Sequence, residues 1–176
     1  ISIFFILVSN TQASDKVKII ENLQNTENLR FNFEQNINGK IENGSCTIEY
    51  PKKIFCNYNK SNGKILVSNG KSLVIKTKVV FYRYSSKKTP LNLILDKKFL
   101  IKKIYDLEEK IVNDLYINYT INENDNEINV FFNNKTFNLT GWQTKDIYQN
   151  QNLTHLSAIK INQKINKSLF KLPQPN

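Results

Sequence analysis

Four of the five glycines in this chain follow an asparagine, at Asn38-Gly39, Asn43-Gly44, Asn62-Gly63 and Asn69-Gly70. The Asn-Gly pair suits type I′ turns, because both residues tolerate positive φ, and such turns join neighbouring antiparallel strands. The first half of the chain is therefore constrained to up-and-down hairpins. The runs between the turns agree with this. Leu29, Phe31, Phe33 and Ile37 alternate with Arg30, Asn32 and Glu34, the period-2 signature of a half-buried strand. Residues 47–50, 54–58, 65–68, 72–77 and 79–84 are strand-length and rich in β-branched or aromatic side chains, so a meander of about six strands is predicted.

Two helices flank it. Asp15 is placed to cap a helix carrying Val17, Ile20 and Leu23 at helical spacing, with Ile19 alongside, ending near Asn25. Thr89-Pro90 introduces a second, short one with Leu91, Leu93, Ile94 and Leu95, proline being suited to a first helical turn. Strands are predicted to resume over residues 102–106, 115–121, 127–132, 136–145 and 153–161, before a tail with Phe170, Leu172 and Pro173.

The hairpin around Pro51 is the most constrained local feature. If Cys46 faces Cys56 across it, Ile48 faces Ile54, and Tyr50 and Tyr58 share their side of the sheet. A Cys46–Cys56 disulfide is expected, the alternative being two buried thiols. Its short loop stabilises by roughly 2 to 3 kcal/mol. The compartment permits it. Ile1 to Val8 is almost wholly apolar and leads through polar residues to Ala13, Ser14 and Asp15, as in a secretory leader cut after Ala13. Residues 1–13 are thus read as a signal remnant too short to span a bilayer, and 14–176 as one exported domain in which a disulfide persists.

Composition excludes more than it assigns. Hydrophobic residues at 40% and charged residues at 23% suit a folded globule. The formal charge is +10, yet only Arg30 and Arg83 among the 25 basic residues are arginines. Nucleic-acid sites favour arginine's bidentate fork, so no nucleic-acid partner is expected. The excess of lysine fits codon bias or attraction to an anionic surface. His155 is the single histidine, and metal-ligand spacing, phosphate loop and nucleophile elbow are all missing; neither an enzyme nor a cofactor is expected, a lipid hydrolase included. What remains is an apolar inner face carrying Leu29, Phe31, Phe33, Ile48, Tyr50, Ile54 and Tyr58. A closed core and a ligand cavity use the same residue types.

The segment Ile65-Leu66-Val67-Ser68-Asn69-Gly70-Lys71-Ser72-Leu73 resembles the hairpin signature of the LolA family, periplasmic carriers of outer-membrane lipoproteins. Leu29-Arg30-Phe31-Asn32-Phe33-Glu34-Gln35 is similar to that family's early aromatic strand, shifted by two in its first aromatic. Tyr50-Pro51 before Ile54 resembles its Arg-Pro hairpin, Thr89-Pro90 the entry to its lid helix, and Phe170-Lys171-Leu172-Pro173 its ending. The matches run in order from about Asp15 to Pro173. The resemblance implies an α+β, mainly β fold, an incomplete, strongly curved antiparallel β-barrel covered by short lid helices.

It also implies an acyl-chain cavity, placed here on Leu23, Phe31, Phe33, Ile48, Tyr50, Ile54, Tyr58, Leu93 and Ile94. A monomeric periplasmic carrier would load acylated lipoproteins from an inner-membrane ATP-driven transporter. It would unload them to an outer-membrane receptor or directly to the outer membrane. A lipoprotein or lipid sensor built on the same half-barrel is the alternative, though such sensors carry a further domain where this chain ends near Asn176. One position departs from the pattern. The family's lid-tethering arginine is replaced by Tyr50, whose hydroxyl is expected to bond the lid backbone instead, with Lys52 and Lys53 as the cations nearest to take over the tether.

Overall fold

The alternating segments assemble, in a computed structural model describing residues 13–145 and 149–175, into one antiparallel sheet of eleven strands among the described residues. The predicted leader up to residue 12 lies outside them. The strands are β1 (Asn28–Ile37), β2 (Lys40–Glu49), β3 (Lys53–Tyr58), β4 (Ile65–Asn69), β5 (Ser72–Lys76), β6 (Phe81–Ser85), β7 (Lys110–Val112), β8 (Tyr116–Glu123), β9 (Asn126–Asn133), β10 (Leu139–Lys145) and β11 (Gln151–Ile161). Their order is β6-β5-β4-β3-β2-β1-β11-β10-β9-β8-β7. β1 therefore sits mid-sheet between β2 and β11, and the sheet curls without closing, leaving β6 and β7 as edges.

Asn38-Gly39 forms the predicted tight turn, with φ of 51° and 90°. Asn43-Gly44 does not. It lies inside β2, which runs unbroken from Lys40 to Glu49 and starts well before the predicted 47–50. Gly44 is needed there for close approach rather than for a turn: a Cβ would stand 2.1 Å from the Asn57 carbonyl oxygen and 2.9 Å from the Phe33 ring. A bare backbone lets β2 bend tightly over its neighbours. Across β1 the register with β11 slips between Arg30 and Asn32, opposite Ala158 at φ 49°, a bulge that sharpens the curl.

The helices are α1 (Asp15–Asn25), α2 (Pro90–Ile94) and α3 (Lys97–Asp106). Ser14, one residue before the expected cap, holds the start of α1, its hydroxyl accepting from the Val17 amide. The buried face of α1 is Ile19 and Leu23, an i,i+4 pair, while Val17 stays 42% exposed. Residues 102–106, expected as a strand, belong to α3. The Asp96 side chain accepts from the Phe99 amide and starts that helix, and Leu100 and Ile104, again i,i+4, are buried completely. Paired lysines at 97–98 and 102–103 broke the apolar pattern and hid the helical period.

The interior lies between this helix layer and the inner face of the sheet. Side chains opposed across strands form rows. One runs Phe31, Cys46, Cys56, Leu66, Ile75, Tyr82, and the next Leu29, Ile48, Ile54, Ser68, Leu73, Tyr84. Cys46 and Cys56 are bonded directly across β2 and β3, with Cα atoms 4.1 Å apart.

Candidate functional site: the apolar interior and its lid

The residues singled out from the sequence converge. Leu23 comes from α1, Phe31 and Phe33 from β1, Ile48 from β2, Ile54 and Tyr58 from β3, and Ile94 from α2; all are buried in one continuous apolar cluster. Tyr50 and Leu93 pack against it partly buried. Phe33 meets Tyr58 edge-to-face at 4.9 Å between ring centres, over the space that Gly44 leaves open. Phe31 meets Trp142 at 6.3 Å, nearly perpendicular, the arrangement ring quadrupoles prefer.

Beyond α2, the second half of the chain supplies as much of this interior as the first, and none of those side chains was singled out from the sequence. Ile117, Tyr119 and Ile121 of β8, and Ile128, Val130 and Phe132 of β9, are buried to 1% exposure or less. Each set has strict period-2 spacing, a signal that was available. His155 is exposed on β11, 6.4 Å from the Tyr116 ring, on the side away from the interior.

The interior is closely filled where α1 meets the sheet. Where Tyr50, Leu23, Leu29 and Leu139 come together, the remaining void measures about 10 Å³, room for at most one water. A larger group can enter at this corner only if the helix layer moves, so the contacts holding that layer matter.

Lys52 makes the principal tether. Its backbone N–H donates to the Leu95 carbonyl at 2.8 Å, and its Nζ lies 2.9 Å from Asp96 Oδ2. The hairpin corner after Pro51 is thereby fastened to the turn between α2 and α3. Lys97 Nζ donates to the Thr26 carbonyl at 2.8 Å, tying α3 to the end of α1; Lys16 Nζ donates to the Leu107 carbonyl at 2.6 Å. Lys53 turns elsewhere, to Glu49 Oε2 at 2.8 Å.

The expected Tyr50 hydroxyl bond to the lid is not formed. That oxygen is buried without a hydrogen-bond partner among the described residues, and burial pushes its pKa far up. The reason is position: Tyr50 follows the last residue of β2, and its ring turns inward against Leu23 and Leu29 while its N–H donates to the Glu27 carbonyl at 2.9 Å. A groove of about 690 Å³ opens outside this corner, between Tyr50, Pro51, Lys98 and Ile165.

The tethers are individually weak. Lys52 and Asp96 are 38% and 23% exposed, which limits their pairing to about 0.2 to 1 kcal/mol, and one backbone hydrogen bond adds roughly 0.5 to 1.5 kcal/mol. The remaining contact between helices and sheet is apolar, Leu23, Ile94, Leu100 and Ile104 lying in one buried cluster with the sheet residues.

No helix among the described residues is long and apolar enough to cross a membrane. One protein-family model, described as outer membrane lipoprotein carrier protein LolA, matches residues 24–173. No curated protein matches the chain in sequence. Among solved structures, the chain is similar to a LolA superfamily protein from Nitrosomonas europaea, at 9% identity and a TM-score of 0.48, over 90% of this chain and 99% of that one. It is similar to MucB at 9% identity and a TM-score of 0.50, over 94% of this chain and 64% of that one. A putative outer membrane lipoprotein-sorting protein domain from Vibrio parahaemolyticus is similar at 8% identity and a TM-score of 0.47, over 88% and 95%. At 9% identity the likeness to MucB is one of fold alone.

Proposed function

The chain belongs to the LolA family of outer membrane lipoprotein carrier proteins, and on that premise we propose that it shields the acyl chains of lipoproteins between its helix layer and its curled sheet, carrying them across the periplasm from the inner to the outer membrane. The observation that carries this reading is the make-up of the interior: a helix layer and a sheet, each apolar on the facing side, with the half-buried Lys52–Asp96 pair across their seam.

Moving an acyl chain of about sixteen carbons through water costs on the order of 12 kcal/mol, at about 0.8 kcal/mol per methylene. A carrier must offset that cost and still release. A lid that packs onto the sheet does both, since its own contacts compete with cargo and reduce net affinity. Leu23, Leu93 and Ile94 withdraw with the helices, exposing Phe31, Phe33, Ile48, Ile54 and Tyr58 of the sheet, with Tyr50 at the corner where the two layers meet.

In this reading residues 1–13 are an export signal, the carrier is monomeric, and loading comes from an ATP-driven transporter of the inner membrane. Delivery goes to an outer-membrane receptor or to the membrane itself.

The test is co-purification. The protein, and a Lys52→Ala variant with a loosened lid, are isolated from periplasm without detergent and analysed by intact mass spectrometry for bound acylated lipoprotein. Lipoprotein is expected with both, in greater amount with the variant. Its absence from both overturns the reading.

A further inference from the structure

Between residues 60 and 95 the chain carries eight lysines and arginines and no aspartate or glutamate. These 36 of the 176 residues thus account for +8 of a net +10. All eight charges lie between Lys60 and Lys88, the stretch that forms β4, β5, β6 and the turn at Ser86–Lys88 at one edge of the sheet. Lys64 is paired with Glu42 at 2.6 Å, while Lys71, Lys87 and Lys88 stand exposed.

The same edge displays apolar and aromatic side chains, with Val79 at one end of the β5–β6 hairpin and Lys71, Lys87 and Lys88 at the other. Val79, at the tip of the β5–β6 hairpin, is 80% exposed. Its turn is firmly built: the Thr77 N–H donates to the Val80 carbonyl at 2.8 Å, and the Thr77 hydroxyl accepts from the amides of Val79 and Val80. Tyr82 and Tyr84 stack on one another at 6.3 Å and are 53% and 46% exposed. They sit opposite Ile75 and Leu73, so they are the outer ends of the two inner-face rows. The apolar lining reaches solvent here.

We propose that the β4–β6 end of the sheet docks the protein on a bilayer surface rich in anionic phospholipid. Lysine and arginine supply attraction to the headgroup charge, tyrosine is the side chain favoured at the headgroup level, and Val79 is held where it can enter the boundary between headgroups and acyl chains. The charge, one sign without exception over the whole segment, matches that surface. Docking in this orientation turns the open end of the inner face toward the lipid.

The test is sedimentation of the purified protein with vesicles of phosphatidylcholine alone or mixed with phosphatidylglycerol. Binding is expected to the anionic vesicles only, and to be lost at high salt. The pair Lys87→Glu with Lys88→Glu should weaken it at least about tenfold, and Val79→Ser should weaken it without any change in net charge. The pair Lys98→Glu with Lys102→Glu on α3 makes the same charge change elsewhere and should leave most of the binding. A fluorophore on Val79→Cys should shift to the blue on anionic vesicles. Failure to bind anionic vesicles, equal loss in the α3 pair, or an unshifted fluorophore overturns the proposal. Because the vesicles carry no acylated protein, each of these results leaves the carrier reading standing or falling on its own test.

Discussion

Lys52 and Asp96 meet at 2.9 Å across the seam between the sheet and its helical cover, and the same Asp96 carboxylate, through Oδ1, accepts from the Phe99 amide at 3.2 Å. One carboxylate thus starts α3 and latches it. The two roles separate by substitution. Asp96→Asn keeps an N-cap and removes the latch charge, so it should cost no more than Lys52→Ala, about 0.2 to 1 kcal/mol. Asp96→Ala loses both and should cost a further 0.5 to 2 kcal/mol, roughly. Urea denaturation of the three variants checks this; equal cost for Asp96→Asn and Asp96→Ala would show that the cap contributes nothing.

Gly44→Ala should destabilise by more than about 3 kcal/mol, because the added Cβ meets backbone that cannot step aside, the Asn57 oxygen at 2.1 Å. Gly39→Ala meets nothing within 4 Å and suffers only from its φ of +90°, which costs about 1 to 2 kcal/mol. Thermal melts of the two should rank in that order.

Reducing Cys46–Cys56 should lower stability by about 2 to 3 kcal/mol, the loop between the cysteines being short. Intact mass before and after alkylation tests the bond itself, and two alkylated cysteines without reductant would refute it.

Burial raises the pKa of Tyr50, and burial together with the nearby Glu42 charge raises that of Tyr58. Both phenols then hold their protons in the folded state at a pH where the unfolded chain, titrating near 10, has lost them. The stability they contribute is complete below pH ~10 and falls as pH rises beyond it, by about 1.4 kcal/mol per unit for each group. Alkaline unfolding should therefore be steeper in the native protein than in a Tyr50→Phe, Tyr58→Phe variant, followed by tyrosinate absorbance and circular dichroism together.

Much of the fold is local and was legible in the residues themselves. Period-2 alternation marked β1, strand-length runs rich in β-branched or aromatic residues marked β3 to β6, Pro90 marked α2, and the spacing of Cys46 and Cys56 about Pro51 marked their pairing, because each depends on neighbours within one hairpin or one helical turn. What tertiary structure decided depends on approach between distant backbones. Gly44 reads as a turn residue until Asn57 and Phe33 are seen pressed against it, and residues 102–106 read as a strand until Asp96 caps a helix whose face is buried. The latch is the clearest case. Tyr50 occupies the position where a tether was expected, yet the corner turns its ring inward and directs Lys52 at Asp96. A sequence fixes which side chains are available at a bend in the chain; only the folded backbone fixes which of them points at the lid.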